Sequence, residues 1–280
     1  MRCRRGVRGI PIMLGMPIML MAVPMLTGGC VRALRELPPL TDPSWGPSQV
    51  KPGEVGALLV QADVLYAARD PAGVRNAASL YLEAARADTT RVEGLVGRVR
   101  VYAWLIDHEP DAEARRSDAV AAVQAAQWCG RLAPGSAACS YWLGAALGLQ
   151  ARERHATALD ALPRIEEAFK QAAAREPSYE QGGPDRALAL LYLRAPGWPT
   201  GPGDPDLGLE HARKAAALGA EYPPNLLALA EALAATGDDA GAGQARRKAL
   251  ELARVMKTAG EPDADDWIRE AATALAGPPP

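Results

Sequence analysis

Phenylalanine occurs once in these 280 residues, histidine three times and cysteine four times. No long alternation of apolar and polar β-branched residues is present, so the period-two pattern of a half-buried strand is missing and the expected class is all-α. His108, His155 and His211 lie in separate segments with no partner at helical metal-ligand spacing, so no metal site is expected. No serine or threonine sits in a nucleophile elbow, and "GPGD" lacks the lysine a phosphate-cradling loop requires. No enzyme activity and no cofactor are therefore expected. A basic surplus is also lacking. The first 29 residues hold four of the 31 Lys and Arg and no acid, leaving 27 bases against 33 acids, which excludes a nucleic-acid-binding surface.

What is present begins with Arg2, Arg4, Arg5 and Arg8 ahead of an apolar run that reaches Leu26. Pro11, Pro17 and Pro24 interrupt that run, which suits a secretory signal over residues 1–29 better than a membrane span. "LTGGC" resembles the bacterial lipobox, with Thr27 where leucine is usual. The resemblance implies acylation of Cys30 and a membrane-anchored chain, against the alternative of an ordinary secreted protein. Val31 after the cysteine implies the outer membrane in a two-membrane cell. Residues 30–53, with Pro38, Pro39, Pro43, Pro47 and Pro52, read as an anchor and an extended tether; Trp45 is the residue expected to touch the body if part of it packs.

From residue 54 to 276 helical hairpins recur. In "LLALAEALAATGDDAGAGQARRKALEL", Gly237 serves as the turn, and Ala230, Ala242 and Ala249 fall where a tetratricopeptide-like repeat needs small side chains. Earlier units offer Ala77, Tyr81 and Ala84; Ala122 and Ala126 with Pro134; Phe169 and Ala172 with Pro177; and Gly208, Ala212 and Ala215. The expected architecture is a helical-hairpin repeat superhelix. A nonrepetitive Ala-rich bundle is the alternative. Pro262, Trp267, Ile268, Ala271, Ala272 and Leu275 mark a closing helix, and residues 277–280 a frayed tail. Cys129 ends one helix and Cys139 opens the next, which favours a disulfide over two buried thiols.

One repeat is interrupted. Its first helix is expected over Pro184–Leu193, and a loop dense in proline and glycine, 194–206, replaces the short turn. Here the chain resembles the TatT family, tetratricopeptide-like lipoproteins associated with tripartite ATP-independent periplasmic (TRAP) transporters. The matching residues are Gly182, Gly183, Pro184 and Arg186; Leu191 and Tyr192; Ala195, Pro196, Gly197, Trp198 and Pro199; Gly203 and Asp204; His211; Tyr222 and Pro223. Tyr141, Trp142 and Gly144 resemble the family's central repeat. The likeness covers roughly residues 120–252, and Thr200 and Gly201 depart from it.

The resemblance implies a lipid-anchored, periplasm-facing repeat protein that binds the solute receptor of a TRAP transporter and holds an apolar ligand. Trp104, Tyr141 and Trp142 are candidate groove residues. The prolines of the loop are expected to hold Trp198 against neighbouring helices or at a groove mouth, with His211 hydrogen-bonding towards the loop. His108 is expected in an exposed turn. Homo-oligomerisation is open. The alternative function is a structural outer-membrane lipoprotein that scaffolds envelope assembly and binds no small molecule.

Overall fold

The computed structural model describes residues 32–34, 36–42, 48 and 50–276. The signal segment, Cys30, Trp45 and the last four residues lie outside them. Among the described residues there are eleven α-helices and no strand: α1 (Val55–Ala67), α2 (Pro71–Ala87), α3 (Glu93–His108), α4 (Ala112–Leu132), α5 (Ala137–Glu153), α6 (Ala158–Arg175), α7 (Gly183–Arg194), α8 (Pro205–Leu218), α9 (Pro223–Ala235), α10 (Asp239–Thr258) and α11 (Ala264–Ala276). Consecutive helices pack on one another, giving five hairpins and a closing helix. This is the tetratricopeptide-like array expected from the repeats.

Local sequence sets the start of most second helices. Asp70, Asp111, Asp204 and Asp238 precede α2, α4, α8 and α10, and each carboxylate accepts a backbone N–H of the first turn. That satisfies donors the helix itself leaves unpaired. Pro71 and Pro205 then stand where a missing N–H costs nothing. The connection into α6 is different: a 3-10 turn, His155–Thr157, leads directly into the helix.

The small residues expected at helix contacts are buried in every hairpin, among them Ala77, Ala84, Ala122, Ala126, Ala172, Ala212, Ala215, Ala230, Ala242 and Ala249. Close approach is the reason. A Cβ on Gly94 of α3 would stand 2.5 Å from the Tyr81 carbonyl oxygen of α2, so these two backbones touch only because glycine is there. Apolar clusters succeed one another along the array, as expected when each hairpin completes its core on its neighbour.

Three expectations change. The described residues between 33 and 40 are not a spacer. Ala33 and Leu40 are buried, the Ala33 N–H donates to Asp160, Trp128 Nε1 donates to the Pro38 carbonyl and Arg131 to that of Leu37. A proline-rich extended strand has no internal hydrogen bonds, so its free carbonyls are acceptors for any nearby side chain, and its leucines cover apolar surface. The closing helix begins at Ala264, beyond Pro262, and turns Ala264 and Ala271 inward while Ala272 and Leu275 face solvent. The interrupting loop is shorter than expected, 195–204, because Asp204 caps α8 two residues earlier.

Candidate functional site

The loop that interrupts the fourth hairpin is built by its own backbone. Gly203 N donates to the Pro196 carbonyl, Asp204 N to that of Tyr192, and Thr200 and Gly201 N to that of Gly197. A bridge joins Gly197 to Gly203. A Cβ on Gly203 would collide with the Ala195 and Pro196 carbonyl oxygens, so the two strands of the loop close only on glycine. The Trp198–Pro199 peptide is cis. Trp198 is 90% exposed, so it is neither a wedge between helices nor the wall of a groove. Pro196 and Pro199 are exposed with it. Proline and cross-loop hydrogen bonds fix the backbone, and the ring they present is left almost wholly in solvent.

His211 does not reach this loop. Its Nδ1 donates to Asp185 at 2.7 Å and its ring stacks on Tyr192, whose hydroxyl donates to Glu166. The loop joins α7 and α8 at one end of the hairpin, and His211 stands about 10 Å along α8 from Asp204, opposite the far end of α7. The histidine therefore fastens the two helices together. His108 is no loose turn residue either: it ends α3, stacks on Trp104 at 4.1 Å between ring centres, and places Nε2 3.4 Å from Asp266 ahead of α11 residue Trp267.

The motif residues at the start of α7 make a second construction. Glu180, Gln181 and Gly182 all have positive φ, at 48°, 56° and 83°, a conformation that side-chain-bearing residues rarely adopt. Asn225, with no exposed surface, holds the turn. Its Nδ2 donates to the carbonyls of Gln181, Ala215 and Gly219, and its Oδ1 accepts from Arg186 at 2.7 Å. Arg186 also reaches the Glu180 carbonyl and lies 5.2 Å from the Tyr222 ring centre. Gly183 and Pro184 are buried beside this turn, with Tyr141 against Gly183. Gly182, Gly183, Arg186 and Tyr222 are thus parts of one device; Asn225, its centre, carried no sequence signal beyond standing two residues after Pro223.

Of the expected groove residues, Tyr141 and Trp142 meet edge to face at 5.1 Å between ring centres, and Trp104 stands apart from them. Tyr141 is in the core with Phe169, Trp142 donates Nε1 to the Tyr179 hydroxyl, and Trp104 belongs with His108. What sequence reasoning missed is the meeting of distant turns. Arg69, after α1, forks onto Asp263, before α11, with both bonds 2.8 Å. Tyr66 lies 4.0 Å from the Arg69 guanidinium and 5.4 Å from that of Arg100 on α3; Tyr222 meets Trp267 edge to face. Burial raises the hydroxyl pKa of Tyr179 and Tyr222 to about 12 each, and raises that of Tyr66 against the pull of Arg69 and Arg100. These hydroxyls stay protonated at neutral pH.

A separate apolar groove of about 570 Å³ runs between the N-terminal segment and α5–α6, lined by Leu34, Leu143, Leu147, Leu159 and Pro163. Cys129 and Cys139 are joined as a disulfide between the end of α4 and the start of α5. No described helix is long and apolar enough to cross a membrane.

No family model matches the chain, and no curated protein matches it. Among solved structures, the chain is similar to a crystal structure of the MamA protein at 21% identity, over 72% of this chain and 93% of that one, with a TM-score of 0.44.

Proposed function

We propose that this chain is a lipid-anchored periplasmic accessory protein of a TRAP-type transport system, and that it works by binding the solute receptor rather than by catalysis. The observation that carries the reading is Trp198, 90% exposed at the tip of a loop whose backbone is hydrogen-bonded across its base. A large apolar ring held out by a pre-ordered loop loses little conformational entropy on docking, and tryptophan is the residue type most enriched among those that dominate interface energies. The lipobox-like "LTGGC" supports the anchor, and the TatT-like residues, several of which serve the Asn225 turn and the loop, support the transporter association.

The test is binding of the purified chain to a purified TRAP solute receptor from the same cell. Micromolar or tighter affinity is expected. Trp198→Ala should weaken it at least tenfold and leave stability within about 0.5 kcal/mol, since the ring touches little in the free protein. Equal affinity for wild type and variant would remove the loop from the interface, and no binding by the wild type would remove the receptor as partner.

A further inference from the structure

The apolar groove of about 570 Å³ beside the N-terminal segment is a trough between α5 and α6. Leu143 and Leu147, one turn apart on α5, face Ala168 of α6 across its floor. On α6 the lining returns every three or four residues from Leu159 to Gln171, so the trough follows one face of that helix for about 18 Å. Its polar members keep to the rim. Asp160, Arg164, Glu167 and Gln171 are all exposed, whereas Leu147 and Ala168 are buried. Leu159, in the first turn of α6, is 65% exposed although it is apolar.

The chemistry of the floor selects what can lie in it. Close by, the described residues between 33 and 40 dock as an extended peptide, and side-chain donors meet their carbonyls: Trp128 Nε1 that of Pro38, and Arg131 that of Leu37. The trough floor offers no equivalent. A backbone laid on Leu143, Leu147 and Ala168 would leave N–H and C=O groups unpaired away from water, which is costly. A hydrocarbon chain has no such groups, and leaving water favours it.

The course of the chain brings such a group to the trough. Ala33 is fixed at the first turn of α6, where its N–H donates to Asp160 at 2.9 Å, and Leu34 forms part of the trough wall. Cys30 stands three residues earlier in the sequence, and three residues span at most about 11 Å. We propose that the trough holds one acyl chain of a lipid on Cys30, running along α6 from its first turn towards Gln171. The trough and the bilayer then compete for that chain. The proposal rests on the lipid-anchor reading and is independent of receptor binding, since no residue of the Trp198 loop lines the trough.

The experiment expresses the full chain in cells fed palmitate that carries a diazirine, purifies it into phospholipid nanodiscs, illuminates it and maps the adducts by mass spectrometry. Intact mass before illumination reads acylation of Cys30 separately. Adducts within the acylated chain should fall on the α5 and α6 peptides that line the trough, at least fivefold above those on the α10 peptide that carries Val255, an apolar residue equally open to solvent at 63%. Leu159→Glu puts a charge at the mouth and should lower the α5–α6 adducts at least threefold. Because Leu159 is mostly exposed, the variant should melt as the wild type does, which separates loss of the site from loss of the fold. An acylated chain whose adducts go only to nanodisc lipid, or are spread evenly over the helices, overturns the proposal and leaves the anchor standing. So do α5–α6 adducts that Leu159→Glu does not change. A chain without acyl mass on Cys30 overturns the anchor reading, and the proposal falls with it.

Discussion

Asn225→Ala should lower the stability of the folded chain by about 3 kcal/mol, because it leaves buried polar partners unsatisfied at about 1–3 kcal/mol each. Asn225 has no exposed surface and ties four segments: the turn before α7 through Gln181, α8 through Ala215, the turn after α8 through Gly219, and α7 through Arg186. The Ala215 and Gly219 carbonyls also accept backbone N–H groups, so they keep a partner. Gln181 does not, and of its hydrogen bonds Arg186 keeps the one to the Glu180 carbonyl at 3.3 Å. The left-handed conformations at Glu180 and Gln181 would then lose what holds them. Three carbonyls on one side and a guanidinium on the other also fix which way the amide points. Asn225→Asp, which fills the same space, would set a carboxylate oxygen against those carbonyls and should be destabilising as well. Thermal unfolding followed by circular dichroism checks both; a loss below about 1 kcal/mol for Asn225→Ala would mean that the turn is held by its other contacts.

Opening the Cys129–Cys139 bond should cost about 3 kcal/mol through the entropy returned to the unfolded chain, for a sequence separation of 10. Both sulfurs are buried and would remain so as thiols, which leaves the folded packing close to unchanged. A chain of this size should lose about 6–12 °C in Tm on reduction, or in the Cys129→Ala/Cys139→Ala variant. Melting with and without reductant, with the redox state read by intact mass, makes the comparison. An unchanged Tm in a fully reduced sample would show that the α4–α5 connection is already fixed by its packing.

The array was legible because its rules are local. Small residues at helical spacing, such as Ala122 with Ala126 and Ala242 with Ala249, mark where helices approach, and Asp-Pro at 70–71 and 204–205 marks where two of them begin. The loop was legible for a similar reason, since proline and glycine crowd one short stretch. The direction of Trp198 was not, because a tryptophan among prolines satisfies local rules whether it packs or projects. His211 was misplaced by sequence proximity to the loop, when the antiparallel course of α7 and α8 carries it towards Asp185. Glu180 and Gln181 give no sign of a positive φ, which glycine would have given. Asn225 meets Gln181 44 residues away, and Arg69 meets Asp263 194 residues away, and no spacing within one helix reports such pairs.

We propose that Trp198 faces a TRAP solute receptor in the cell envelope. A photoreactive phenylalanine at position 198 in the full chain, illuminated in living cells, tests it most directly. A single major adduct is expected, its partner identified by mass spectrometry as the receptor and lost when the receptor is deleted. Adducts confined to outer-membrane assembly proteins, undiminished by that deletion, would contradict it and favour a structural envelope scaffold.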